Sequence, residues 1–230
     1  QAAPPRHSGE EFVMKTMDQF EGDDRFEVVA KRFVRIDVDG PVWIKRGMAV
    51  AYRGDLKFVR ERVLLKTKAK DMLGRGLVPL GQVKGKGRLY CSEEGKHHRV
   101  ARLNEGNLHV LASSLLAFEE TVEHSVSLVK KVGLLQGGLF TVNLRGSGLM
   151  ALSTKGDPLT LKVTPGDTVI TDPKCTIAWT GGLSIKLKTD LEMRSLIGYG
   201  GGEEIMMEFS GEGYVVVQGK QEDPSGKGVP

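Results

Sequence analysis

The sequence predicts an all-β protein: a double-stranded β-helix or β-prism of three degenerate pseudo-repeats, mostly antiparallel, with little helix. Three observations carry that prediction. Glycine is in excess and punctuates apolar runs, the runs alternate with period two, and one nine-residue spacing recurs three times along the chain.

Of 230 residues, 30 are glycine, about 13% where ~7% is usual. They follow no collagen-like period. Short strands joined by tight turns need such residues, because glycine takes positive φ without steric cost. Within the runs, Val34, Ile36 and Val38 alternate with polar neighbours, followed by Leu56 and Phe58. Leu159, Leu161 and Val163 do the same, as do Leu183, Ile185 and Leu187. Period two places such side chains on one face of a strand. Turn signals separate them, among them Asp39-Gly40-Pro41 and Thr164-Pro165-Gly166-Asp167. Alternation bounded by turns predicts antiparallel sheet with one buried face. Two short stretches carry weak helical patterns, Arg62 to Leu73 and Asp190 to Leu196.

The recurring spacing links Val42-Trp43-Ile44 to Val50-Ala51-Tyr52, Leu108-His109-Val110 to Leu116-Ala117-Phe118, and Val169-Ile170-Thr171 to Ile177-Ala178-Trp179. Nine positions separate the first apolar residue from the alanine each time, and an aromatic residue follows the alanine. Neighbours on a strand point to opposite faces, so alanine and aromatic cannot enter the same core. The alanine is expected to mark close sheet contact and the aromatic to fill space between repeats. A second landmark recurs with it: Gly85-Lys86-Gly87, Gly146-Ser147-Gly148 and Gly211-Glu212-Gly213 each lead into an apolar strand. The last of these strands, Tyr214 to Val217, is expected to pair with the first strands of the chain, leaving no open edge. The expected organisation is a lead segment 1–25, a single triple-repeat domain 26–218 and a flexible tail 219–230. Removal of everything after Ser210 should then destabilise the domain, and removal of the tail alone should not.

Composition excludes several classes. Hydrophobic residues at 40% and charged residues at 27% fit a globular chain rather than a disordered one. Two cysteines, Cys91 and Cys175, are too few for a disulfide framework and point to a reducing compartment. No apolar run approaches the ~20 residues that cross a bilayer, and no signal-peptide core is seen. A cytoplasmic location follows, or a mitochondrial one if the source is eukaryotic and a segment ahead of Gln1 has been removed. Charge is uneven. Lys57 to Arg102 holds 13 Lys and Arg against 4 Asp and Glu, and the remainder holds 20 against 25. Such a segment suits phosphate or anionic lipid.

These landmarks resemble a known family. Gly137-Gly138-Leu139-Phe140, Gly146-Ser147-Gly148, Val163-Thr164-Pro165-Gly166 and Ala178-Trp179-Thr180-Gly181-Gly182 stand in its order. So does the close, from Gly201-Gly202-Glu203-Glu204 through Met207-Glu208-Phe209-Ser210-Gly211-Glu212-Gly213-Tyr214 to Gln218. Together they resemble the family named for altered inheritance of mitochondria protein 24, whose bacterial members form a domain of unknown function. The match runs from Phe33 to Gln218 and is strongest after Gly137, while Arg60 to Gln82 departs from the pattern. The resemblance implies a fold related to the tryptophan RNA-binding attenuator, with repeats packed like subunits of a ring. It implies no catalytic residues, and its mitochondrial members are tied to inner-membrane organisation.

Enzymatic chemistry finds little support, and no cofactor is expected. His97 and His98 are adjacent and project to opposite faces of a strand, so they cannot share a metal. His7, His109 and His124 have no carboxylate at ligand spacing, and His109 is expected at the surface. Gly81 to Gly87 is one residue short of a phosphate loop and lacks the Ser or Thr that would hold magnesium. Gly198 to Gly202 reads as a turn rather than a dinucleotide cradle. Neither a Gly-x-Ser-x-Gly elbow nor a base beside either cysteine is present. The favoured expectation is a non-enzymatic scaffold or assembly module, homo-oligomeric or docked to a protein partner, with Met206, Met207 and Leu191 as candidate interface residues. The alternative is nucleic-acid binding through the basic segment, with Lys66, Lys68, Lys70, Lys84, Lys86 and Arg88 as candidate contacts to phosphate or lipid. Only Tyr90 offers a stacking platform among them. Peripheral contact with an anionic membrane is a variant of either reading.

Overall fold

The computed structural model describes residues 24–60, 80–128, 139–189 and 205–219, and every regular element among them is a β-strand. The two weak helical stretches lie outside the described residues. The strands fall into three consecutive sets. The first comprises β1 (Phe26–Val29), β2 (Phe33–Asp39), β3 (Val42–Lys45), β4 (Ala49–Arg60) and β5 (Leu80–Cys91). The second holds β6 (His97–Leu111), β7 (Leu115–Glu119), β8 (Val122–Leu128) and β9 (Phe140–Thr154). The third holds β10 (Leu159–Val163), β11 (Val169–Thr171), β12 (Thr176–Thr180), β13 (Ser184–Thr189), β14 (Ile205–Ser210) and β15 (Gly213–Val217).

All pairings are antiparallel. In the first set β5 lies between β2 and β3 on one side and β4 on the other. In the second β9 lies between β6 and the β7–β8 pair. In the third that central strand is divided: β14 lies between β11 and β13, and β15 between β10 and β12. The glycine triplets explain why one central strand serves two neighbours in succession. Gly85, Gly146 and Gly211 have φ of +119°, +98° and +116°, a region that side chains with a Cβ rarely occupy. Each bends the strand from one group of partners to the next.

A bulge stands at the same point in every set. The ladder slips between Ala49 and Ala51, between Leu115 and Ala117, and between Thr176 and Ala178. The slipped residue immediately precedes the shared alanine. An extra residue there increases local twist and turns the strand toward the neighbouring set. Successive sets join through that region: Val42, Trp43 and Ile44 of β3 pair with Glu119, Phe118 and Ala117 of β7. Leu108, His109 and Val110 of β6 pair with Thr180, Trp179 and Ala178 of β12.

Three hydrophobic clusters fill the interior, and the pleat divides each alanine from its aromatic neighbour. Ala117 packs in the first cluster with Val42 and Ile44, whereas Phe118 packs in the second with Trp43. Ala178 lies in the second cluster and Trp179 in the third. The alanine therefore closes the preceding core, and the aromatic ring fills its own. Met206 and Met207 are core residues, not interface residues; Leu191 lies outside the described residues.

One expectation is overturned. The C-terminal strand β15 does not pair with the first strands; it pairs with β10 and β12. β15 continues β14 past the Gly211 bend, and β14 is held by β11 and β13. The segments that flank it are therefore β10 and β12, which belong to the same chain stretches as β11 and β13. It completes the third set, and Gln218 fastens its end by donating to the Cys175 carbonyl at 2.8 Å.

Polar staples tie the first set to the second. Glu93 accepts from Lys45 and Lys96, both at 2.7 Å, and both lysines also donate to the Ser113 carbonyl. Burial pushes the Lys45 ammonium below its ordinary range. Burial opposes ionisation of Glu93 too, but the hydrogen bonds from Lys45 and Lys96 outweigh it and hold its carboxyl below the usual value. Glu119 receives Arg25 at 2.7 Å and the Leu149 amide at 2.7 Å, satisfying both oxygens of a buried carboxylate.

Candidate functional site

Two surfaces compete for the functional role. The first is the basic strand. Lys84 and Lys86 of β5 are exposed and Arg88 is half-buried. Alternation along β5 puts all three on one face. Their cross-strand neighbours are mixed in sign: Lys84 faces Lys57, Lys86 faces Asp55 and Asp39, and Arg88 faces Arg53 and Asp37, so the charge is reinforced at Lys84 and tempered at Lys86 and Arg88. Arg88 is bound to Asp37 with Nε to Oδ1 at 2.6 Å, which raises its already high pKa. Lys66, Lys68 and Lys70 lie outside the described residues. Among the three described candidates, Lys84 alone has no carboxylate directly opposite it in a described ladder, and Tyr90 is half-buried rather than displayed.

The second surface is built from the strand junctions. In the β3–β7 junction the Trp43 ring stacks on Phe118, centroids 6.1 Å apart and 16° from parallel, and meets His124 at 4.7 Å. Phe118 and His124 meet edge-on at 5.1 Å and 61°. In the β6–β12 junction His109 stacks on Trp179 at 5.4 Å and 13°. His109 is thus half-buried against an aromatic face, not surface-facing as the alternation suggested; burial, with Arg145 nearby, lowers its pKa. The first set contains the receiving half of the same arrangement. Tyr52 and Phe58 of β4 meet edge-on at 5.2 Å and 66°, nearly the geometry of Phe118 and His124. They are 57% and 47% exposed, however, whereas Phe118 is fully buried. Sequence reasoning aligned Tyr52 with Phe118 but grouped Phe58 with Leu56 on a buried strand face; Leu56 is buried and Phe58 is exposed. The signal for its pairing with Tyr52 was present, since both pairs are six residues apart.

Two clefts lie beside these rings. A cleft of about 670 Å³ beside Phe58 is walled by Ile44, Ala49, Val59 and Val83, with Arg46 and Gln82 as its polar members. A second, of about 380 Å³, holds His109 with Ser127 and Thr141. There the Ser127 hydroxyl bonds Thr141 at 2.9 Å rather than His109, so no nucleophile is joined to a base. His98 is buried, receives the Glu93 amide on Nε2 and meets the Ser153 hydroxyl through Nδ1. Its neighbour His97 lies on the other face of the strand. Among the described residues no group of three or more His, Cys, Asp or Glu could hold a metal. No described helix is long and apolar enough to cross a membrane.

The fold and these surfaces define an antiparallel all-β protein whose strand sets join edge to edge through stacked rings. The chain belongs to the AIM24 family: the family model described as mitochondrial biogenesis AIM24 matches residues 8–220. A solved relative in fold is protein SPYM3_0169 from Streptococcus pyogenes, by X-ray crystallography. It superposes with a TM-score of 0.66 at 18% identity, over 85% of this chain and 92% of that one. No curated protein matches the chain.

Proposed function

We propose that the chain is a non-enzymatic assembly module: three degenerate copies of one unit, on a β-prism frame of double-stranded β-helix type, that associates with protein through its strand edges. One observation carries the reading. The aromatic that follows the alanine is buried where two sets meet, as Phe118 against Trp43 and Trp179 against His109, yet the counterpart edge on β4 displays Val50, Tyr52 and Phe58 to solvent. Large exposed apolar residues along a strand edge favour docking of another chain. The family's description, mitochondrial biogenesis, supports an organising role, including a peripheral one at a membrane.

The test is native mass spectrometry of the tagged full chain, taken gently from its source cell, with light scattering over a hundredfold concentration range. A homo-oligomer or a stoichiometric protein complex is expected. A strictly monomeric mass in both experiments refutes the reading.

Nucleic-acid binding is a second reading, favoured by the exposure of Lys84 and Lys86 beside Lys57. It demands affinity for RNA or DNA that falls steeply with salt. Negligible binding at low salt would end it, and flotation on vesicles with and without acidic lipid separates the membrane variant.

A further inference from the structure

We infer that β11 of one chain pairs with β4 of a second copy, antiparallel, with Thr171 opposite Ala51, Ile170 opposite Tyr52 and Val169 opposite Arg53. The inference rests on the assembly reading above and specifies its interface.

The register follows from the two junctions already formed. Each places an apolar triplet of one set against the residues that begin at the alanine of the next. Ile44 faces Ala117 and Trp43 faces Phe118; Val110 faces Ala178 and His109 faces Trp179. By sequence spacing Ile170 is the counterpart of Trp43 and His109, and Tyr52 is the counterpart of Phe118 and Trp179. Two halves remain: the triplet on β11 and the alanine-aromatic edge on β4. Among the described residues, β11 pairs only with β14 and β4 only with β5, so each has one ladder edge unpaired.

The side chains fit the same scheme. Ile170 is 38% exposed and Tyr52 57%, whereas in the formed junctions Trp43, Phe118 and Trp179 are buried and His109 is half-buried. Tyr52 and Phe58 already hold the edge-on geometry that Phe118 and His124 present to Trp43. A branched aliphatic side chain from a partner can rest on that pair as the indole rests on its counterpart. Ala51 is exposed, while Ala117 and Ala178 each close a neighbouring core; across the new junction Ala51 meets the partner's third cluster, beside Val169. Within the proposed register neither edge carries the lysine or proline that commonly blocks such pairing; Arg53 stands at its end, and Asp55 and Lys57 lie beyond it on β4. Each chain has one donor and one acceptor edge, so the contact is heterologous, head to tail.

Disulfide trapping tests the register. Directly opposed residues of an antiparallel pair have Cα atoms about 4.5 to 5.5 Å apart, within the range of about 4.4 to 6.8 Å that a disulfide spans. Tyr52→Cys and Ile170→Cys are made as separate chains, each with Cys175→Ser, then mixed and oxidised mildly. The expected product is a mixed dimer whose peptide map joins positions 52 and 170. The Val50→Cys chain, two residues out of register, should give little product with the same partner. Ile170→Lys should shift the wild-type assembly to a monomer with an unchanged far-UV spectrum, and Tyr52→Lys should do the same.

Three results overturn the inference: no mixed dimer, equal yield from the slipped pair, or an intrachain bond in the Tyr52→Cys/Ile170→Cys double variant. The last would mean that the third junction closes within one chain. If the wild type still associates while the trap fails, the interface is wrong and the assembly reading stands. If the wild type is a monomer at every concentration, both fall.

Discussion

Phe118→Ala and Tyr52→Ala alter equivalent positions, and the structure assigns them different costs. The Phe118 ring is fully buried, stacked on Trp43 and edge-on to His124. Deleting it forfeits transfer energy and leaves a cavity bounded by strands from two sets. Buried Phe→Ala changes cost about 3–5 kcal/mol, and lost ring contacts contribute about 0.5–1.5 kcal/mol beyond area in such cases. We expect about 4 kcal/mol, a large share of the 5–15 kcal/mol typical of a domain. Tyr52 is 57% exposed, so its loss from an isolated chain should cost about 1 kcal/mol or less. Urea unfolding at low protein concentration, followed by far-UV circular dichroism, measures both. With a slope of about 2–3 kcal/mol per molar, the Phe118→Ala midpoint should fall by about 1–2 M and that of Tyr52→Ala by less than about 0.5 M. Equal shifts would refute the claim that one site is a filled junction and the other an open one.

Other predictions concern single residues. Gly85→Ala places a Cβ at φ +119° and hard against the Asp55 carbonyl oxygen; thermal denaturation should show a loss of at least about 2 kcal/mol, from strain and backbone clash together. Burial pushes the Cys91 thiol up to about 12, so mass spectrometry after brief alkylation of native protein should find Cys175 modified and Cys91 intact. Burial lowers the pKa of both His98 and His109 in the fold. The unfolded chain therefore binds protons first, and stability present above about pH 6.5 should decline as pH falls below it. His109→Gln should flatten part of that decline in urea titrations at stepped pH.

The all-β class was legible because period two and glycine punctuation are local signals. The alanine-aromatic spacing was legible for the same reason, and each of the three strand sets holds a bulge immediately before its alanine. Strand order was not, since pairing partners lie far apart in sequence. Assigning β15 to the first strands failed because the sequence does not say which neighbours a bent central strand keeps. His109 was misplaced for a related reason. Its alternation is that of a solvent-facing residue, and the ring that covers it, Trp179, arrives from the next set. On the basic segment, residue counts revealed the excess of lysine and arginine but not Asp37, Asp39 and Asp55, which the ladders bring beside it.

The placement of each alanine in the preceding core has a consequence for how the chain folds. No set finishes its interior alone: the first waits for Ala117 and the second for Ala178. Stability should then behave as in a one-dimensional array, with nearest-neighbour terms dominating and order propagating along the chain. An excised middle set would lack Trp43 on one side and Ala178 on the other, and would not be an autonomous folding unit.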